Sequence, residues 1–215
     1  MATAMSITYH ESLQRGARAM SRLKEARITI CGVGALGANL AESLARCGAG
    51  HLRLVDRDRV EERNLSTQPY ALDDIGAHKA RALAYSLYRA VGIEALALTQ
   101  ELTVRNAPKL LRDSDLIVDC FDNSVAREAV ARYCYDAHVP CLHVGLAGGY
   151  AEVLWDEVYR VPSDAQDDIC DYPLARNLVT LAVAVACETV IIALVTGERK
   201  NWTATLGDLS VQPFV

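Results

Sequence analysis

Apolar residues recur along this chain with two different periods, and the alternation between them predicts its elements. Over residues 11–24, Leu13, Ala17, Met20 and Leu23 fall on one stripe, the signature of an amphipathic helix. A short strand follows at 27–31, then a glycine turn, a helix at 36–46 and a strand at 51–55. Residues 56–77 show no period, and Pro69, Asp73, Asp74 and Gly76 mark turns there. A helix is predicted at 78–90, a strand at 93–98, a short helix at 106–112 and a strand at 116–120. Ser124 is placed to cap a helix over 125–137, and a strand follows at 140–144. Strand alternating with helix predicts an α/β, Rossmann-like, doubly wound and mainly parallel sheet with right-handed crossovers. Beyond Gly145 the alternation stops. Residues 150–155 and 158–161 read as strands with no helix between them, and an acidic loop spans 162–173. A long apolar helix then covers 178–196, and a hairpin at 202–206 and 209–211 turns at Gly207-Asp208. The reading is therefore one domain over 1–215: an N-terminal helical arm (1–26), a nucleotide-binding core (27–145) and a C-terminal antiparallel extension (146–215).

Composition changes this picture little. Hydrophobic residues make up 51% of the chain, which argues against disorder, and only 6% are aromatic, which suits helices on a buried parallel sheet. A formal charge of −5 removes general attraction to nucleic acid or to an anionic membrane. Seven cysteines, none spaced as a CxxC pair, suggest neither a disulfide framework nor a structural zinc, and they fit a reducing, cytoplasmic setting. No secretory signal is expected from the N-terminus. The run 178–196 approaches membrane-spanning length, but Glu188 interrupts it and no basic or aromatic belt flanks it. It reads as a buried helix, placed at a subunit interface.

The chemistry lies where strands end. Gly32-Val33-Gly34-Ala35-Leu36-Gly37 fits G-x-G-x-x-G between a strand and a helix. Gly32 permits the tight turn, Gly34 lets a phosphate approach the backbone, and Gly37 allows close helix–strand packing. Asp56, at the end of the next strand, is placed to accept hydrogen bonds from ribose hydroxyls. This pair alone does not separate NAD, FAD and ATP. Asp58, Asn64, Lys79 and the Asp119-Cys120-Phe121-Asp122-Asn123 stretch open on the same sheet edge. A hydride-transferring enzyme has no evident need of a lysine and an acidic pair there. A triphosphate does: Lys79 can neutralise phosphate oxygens and Asp122 can hold Mg²⁺.

The ordered set GVGALG, VDRDRVEERNL, GAHKA and VDCFDNSVAR resembles the ThiF/MoeB/HesA family, bacterial relatives of ubiquitin-activating enzymes. The resemblance covers about residues 9–197. It implies ATP- and Mg²⁺-dependent adenylation of a carboxylate, most commonly the C-terminal glycine of a small ubiquitin-like or sulfur-carrier protein, by a homodimer. By position it implies that Gly32, Gly34, Gly37, Asp56, Asp58, Asn64, Gln68, Lys79 and Asn123 bind nucleotide and that Asp122 positions the metal. It also places Cys170 roughly where some relatives carry a nucleophilic cysteine that accepts an acyl group as a thioester. Asp167, Asp168 and Asp171 around Cys170 oppose that role by raising the thiol pKa.

Two family arginines are missing. Glu11 and Thr67 stand at their positions, and Arg15, Arg18 and Arg63 are the nearby residues that can substitute. Without a substitute, the chain reads instead as an inactive subunit that scaffolds a partner. An NAD(P)-linked oxidoreductase is supported only by the glycine turn and Asp56. His138 and His143 flank a strand without partners at metal-ligand spacing and read as packed or edge histidines.

Overall fold

The computed structural model describes residues 6–162 and 174–214. Eight strands form one sheet in the order β3-β2-β1-β4-β5-β6-β7-β8. They are β1 (Arg27–Cys31), β2 (His51–Val55), β3 (Leu96–Leu98), β4 (Leu116–Asp119), β5 (Cys141–Ala147), β6 (Tyr150–Trp155), β7 (Trp202–Thr205) and β8 (Ser210–Pro213). The first five are mutually parallel and the last three antiparallel. The mainly parallel sheet with an antiparallel C-terminal part agrees with the pattern of the sequence. Buried on both faces, β1 and β4 can be nearly continuous runs of apolar residues. The two-residue Gly148-Gly149 loop joining β5 to β6 has positive φ at both positions (55° and 88°), as a type I′ hairpin requires.

The helices are α1 (Tyr9–Glu25), which Gly16 (φ 78°, ψ 161°) breaks into two segments where the sequence predicts one continuous helix, α2 (Ala35–Cys47), α3 (Lys79–Val91), α4 (Ala107–Leu110), α5 (Ser124–Ala137) and α6 (Arg176–Thr196). Among the described residues, α6 is the one helix long and apolar enough to cross a membrane. Leu178, Val179, Ala182, Val183, Ala186 and Val190 of α6 instead share one core with Ile28 and Ile30 of β1 and Leu40 and Leu44 of α2. Burying a large apolar side chain of this kind contributes about 1.5–3 kcal/mol, so α6 is a principal wall of the molecule.

Three local expectations change. Residues 158–161 are not a strand: the Val158 and Tyr159 amides both return to the Trp155 carbonyl (3.0 and 2.9 Å), closing a turn. The edge strand β3 starts at Leu96 rather than Ile93, because its ladder on β2 begins only at Arg53. The cap of α5 is Asn123, whose side chain accepts the Ala126 N–H at 2.9 Å, while Ser124 is the first helical residue.

β1 and β4 are adjacent, and the chain departs from this pair in opposite directions, to β2 and β3 on one side and β5 on the other. Such a switch point opens a crevice at the carboxyl ends of the strands. The glycine turn leaves β1 there, and the Cys120–Asn123 turn leaves β4 beside it.

Candidate nucleotide site

The glycine turn divides its tasks among three residues. Gly32 has φ of 80°, and a Cβ on it would stand 3.0 Å from the Cys120 backbone. A Cβ on Gly37 would meet the Gly32 carbonyl oxygen at 1.9 Å, so the first turn of α2 lies directly on the loop that precedes it. Gly34 differs: its φ is −82°, and the nearest atom to a methyl placed there would be the Gln68 side-chain nitrogen at 4.0 Å. The space above Gly34 is open, and the amide of Gln68 borders it.

Hydrogen bonds from the following segments hold this turn. The Asp56 carboxylate accepts the Val33 N–H at 2.8 Å and the Asp58 N–H at 2.7 Å. Burial pushes the Asp56 carboxyl above its usual range despite these bonds and the nearby Lys79 charge. Its oxygens keep lone pairs that can accept hydroxyl donors. The Tyr70 hydroxyl donates to the Val33 carbonyl at 2.7 Å, pinning the turn from the far end of segment 64–70. Within that segment Asn64 accepts the Glu61 N–H at 2.9 Å, closing a capping box, and its carbonyl accepts the Gln68 amide at 2.8 Å. Gln68 is buried, and its Oε1 has no hydrogen-bond partner among the described residues. An unsatisfied buried amide costs roughly 1–3 kcal/mol, and at this position a polar ligand would satisfy it.

Lys79 reaches the edge through a short antiparallel clip. Val60 donates to Ala77, Gly76 to Val60 and Lys79 to Asp58, each at 2.9 Å. The buried Lys79 side chain then directs its Nζ to Asp58 Oδ2 at 3.5 Å. On the β4 side Asp122 is exposed and takes a hydrogen bond from the Asn123 side-chain amide at 3.4 Å, while Asn123 spends its own oxygen on the α5 cap. No cluster of three metal-ligating side chains exists among the described residues. A single open carboxylate is still the usual protein contribution to a Mg²⁺ that arrives with phosphates and retained waters. Cys170 lies outside the described residues.

The candidates for the missing arginines separate. Thr8 and Met20, at the start and in the body of the N-terminal arm, lie against Gly48, at the end of α2 roughly 20 Å from the glycine turn. Arg15 of α1 is clamped by Glu11 (2.6 Å) and bidentately by Glu188 (2.9 and 2.8 Å). Within one chain, then, Arg15 does not reach the nucleotide edge. Arg63 does lie in segment 61–66, with its Nε on Glu61 at 2.7 Å. Arg176, which the sequence pattern did not single out, opens α6 and donates to the Ser66 carbonyl at 3.4 Å. Its signal was a cation in the first turn of a helix, where the helix dipole disfavours it.

A second group is likewise hidden from the sequence pattern. The Asp119 carboxylate, wholly buried, accepts His143 Nδ1 at 2.9 Å and lies 3.5 Å from Arg127 Nη1. Arg127 donates to the Tyr159 hydroxyl at 3.0 Å and the Val144 carbonyl at 2.9 Å. The Tyr159 ring stacks on His143 with centroids 3.7 Å apart. His143 is packed in the core, as the sequence reading expects, and has a hydrogen-bond partner there as well. Burial alone would raise the Asp119 carboxyl; the Arg127 charge and the His143 bond outweigh it and hold the group below the usual range. A depressed carboxyl stabilises the fold above the unfolded-state pKa and loses that contribution as pH falls through the folded value. Denaturant midpoints of Asp119→Asn should therefore lie below wild type at neutral pH and converge with it below about pH 4; parallel curves would show that no buried carboxylate is being titrated.

The ThiF family model matches residues 9–209. The sulfur carrier protein ThiS adenylyltransferase of Bacillus subtilis is 35% identical over 139 residues, which is 63% of this chain and 41% of that protein. The tRNA threonylcarbamoyladenosine dehydratase of Escherichia coli is 29% identical over 167 residues, 76% of this chain and 60% of that protein. The chain thus spans only part of the length of these relatives. Among solved structures, Escherichia coli MccB with ATP aligns with a TM-score of 0.77 at 20% identity, over 92% of this chain and 65% of that one.

Proposed function

The chain belongs to the ThiF family, and from that premise we propose that it uses ATP to adenylate a carboxylate, the C-terminal glycine of a small sulfur-carrier or ubiquitin-like protein. The observation that carries this reading is the convergence of Gly34, Gln68, Lys79 and Asp122 on one sheet edge. Open backbone, an unsatisfied amide, a buried ammonium and an exposed carboxylate together suit a triphosphate rather than a hydride carrier.

In this reading an oxygen of the substrate carboxylate attacks the α-phosphorus, a new O–P bond forms, and the bond to the departing pyrophosphate breaks. The nucleophile is already anionic, so the chain has no proton to remove. Its task is electrostatic: the glycine turn and the start of α2 receive phosphate, Asp56 orients ribose, and Lys79 offsets the charge that builds on the leaving group. Asp122 would hold Mg²⁺, which neutralises triphosphate oxygens when bound. Lys79 is preorganised by Asp58, so little side-chain reorganisation accompanies binding.

Further proposals accompany this one. A homodimer is supported by the half-buried apolar residues Leu181, Val185, Ile192 and Val195 on α6; a monomer mass by light scattering would remove it. A cytoplasmic setting is in keeping with the six free thiols of the described residues. Thioester formation at Cys170 would be a later step. A second reading, that of a scaffolding subunit with weak or no turnover, is favoured by the commitment of Arg15 to Glu188 of α6, since the resemblance places Glu11 and Thr67 where the family has arginines.

Nucleotide choice tests the site itself. Calorimetric titration should show saturable ATP binding strengthened by Mg²⁺ and no comparable NAD⁺ binding. Tight NAD⁺ binding with none for ATP would overturn both readings.

A further inference from the structure

The buried Asp119–His143–Arg127 group lies directly beneath the turn that carries Asp122. Replacing such a group with apolar residues of similar volume is often neutral or stabilising, so burying three ionisable side chains calls for a positional reason. The Asp119 carboxylate supplies one. Its Oδ1 accepts the Phe121 N–H at 3.1 Å, in the turn that follows β4. Its Oδ2 is held from the other side by His143 on β5 and by Arg127 on α5.

Each partner is fixed in turn. Arg127 is anchored on the Val144 carbonyl and the Tyr159 hydroxyl. His143 is fixed by its stack on Tyr159. With Asp119 ionised, His143 Nδ1 must carry the proton, which sets the direction of that bond, while Nε2 has no hydrogen-bond partner among the described residues. The turn so fixed is packed on the phosphate loop, since a Cβ on Gly32 would approach the Cys120 backbone and the Phe121 ring to 3.0 Å. A rotation of the Asp119 carboxylate would therefore displace Asp122 relative to the glycine turn.

We propose that His143 and Arg127 are positioning residues for nucleotide chemistry: they orient the Asp119 carboxylate on the Phe121 amide and thereby set where Asp122 stands over the phosphate site. The kinetic part of this inference rests on the adenylation reading. The geometric part does not.

The test separates the Nδ1 donor from the bulk of the ring. His143→Asn keeps a donor where Nδ1 stands, whereas His143→Phe keeps the stack on Tyr159 without a donor, and His143→Gln carries its amide at the Nε2 position. Amide hydrogen exchange by NMR reads the Phe121 bond directly, with the amides of Ile117 and Val118 as internal references for folding. Phe121 protection should fall about tenfold or more in the Phe and Gln variants, corresponding to about 1.4 kcal/mol, and persist in the Asn variant. Pyrophosphate exchange should show kcat reduced by about 100-fold in the same two variants with KM for ATP little changed, as misplacement of a reacting group produces, and substantially recovered in the Asn variant. Unchanged Phe121 protection in His143→Phe or His143→Gln, with the reference amides intact, would overturn the proposal. If the wild-type chain shows no exchange activity, the adenylation reading fails, while the amide measurement still decides whether His143 orients Asp119.

Discussion

Gly37→Ala should lose about 3 kcal/mol of stability or more and ATP binding with it. The added methyl would stand 1.9 Å from the Gly32 carbonyl oxygen and 3.0 Å from the Ile30 side chain. Neither can retreat: Gly32 donates its own N–H to the Val55 carbonyl at 2.9 Å, and Ile30 is wholly buried in the core. Relief requires α2 to move away from β1, which would open the core that α2 shares with α6. Gly34→Ala is the control. Its methyl enters open space at an ordinary φ, so the denaturant midpoint should stay near wild type while ATP affinity falls, because the space it fills is where a phosphate would approach. Equal loss of stability in both variants would contradict this division of labour.

Asp122→Ala should reduce pyrophosphate exchange by about 1000-fold and leave the fold intact. Asp122 is exposed and contributes no hydrogen bond to the α5 cap, which belongs to Asn123, so its removal leaves no buried group unpaired. The adenylation reading makes this carboxylate the protein's hold on Mg²⁺, and losing it should also remove the dependence of ATP affinity on Mg²⁺. A variant that retains exchange and Mg²⁺ dependence would show that the metal is held elsewhere. Circular dichroism and the denaturant midpoint distinguish a catalytic loss from an unfolded chain.

How far the sequence revealed these features follows from the range of the interactions that make them. The strands at 27–31 and 51–55 end where the residue pattern places them, since the first runs into Gly32 and the second, whose apolar residues alternate with polar ones, into Asp56. The glycine turn was legible for the same local reason. Residues 158–161 read as a strand in sequence, yet the chain turns there, with Tyr159 held against His143 and Arg127, partners far away in the sequence. The Asp119–His143 bond spans 24 residues and the Arg127–Tyr159 bond 32, distances over which no periodicity speaks. Asp119 was visible as half of an acidic pair, but its role became distinct from that of Asp122 only through burial: one carboxylate is sealed and partnered, the other open. Arg15 shows the converse. Proximity in sequence to a missing arginine suggested a substitute, and the packing of α1 at the far end of α2 places it elsewhere.

Exchange of labelled pyrophosphate into ATP decides whether this sheet edge activates a carboxylate with ATP. The measurement uses the purified chain, Mg²⁺ and a candidate small carrier protein ending in glycine. Exchange should require the carrier's terminal carboxylate and disappear in Asp122→Ala. Exchange absent with every such carrier, although ATP binds, would contradict carboxylate activation, and restoration of exchange only on adding a second subunit would identify this chain as the scaffold.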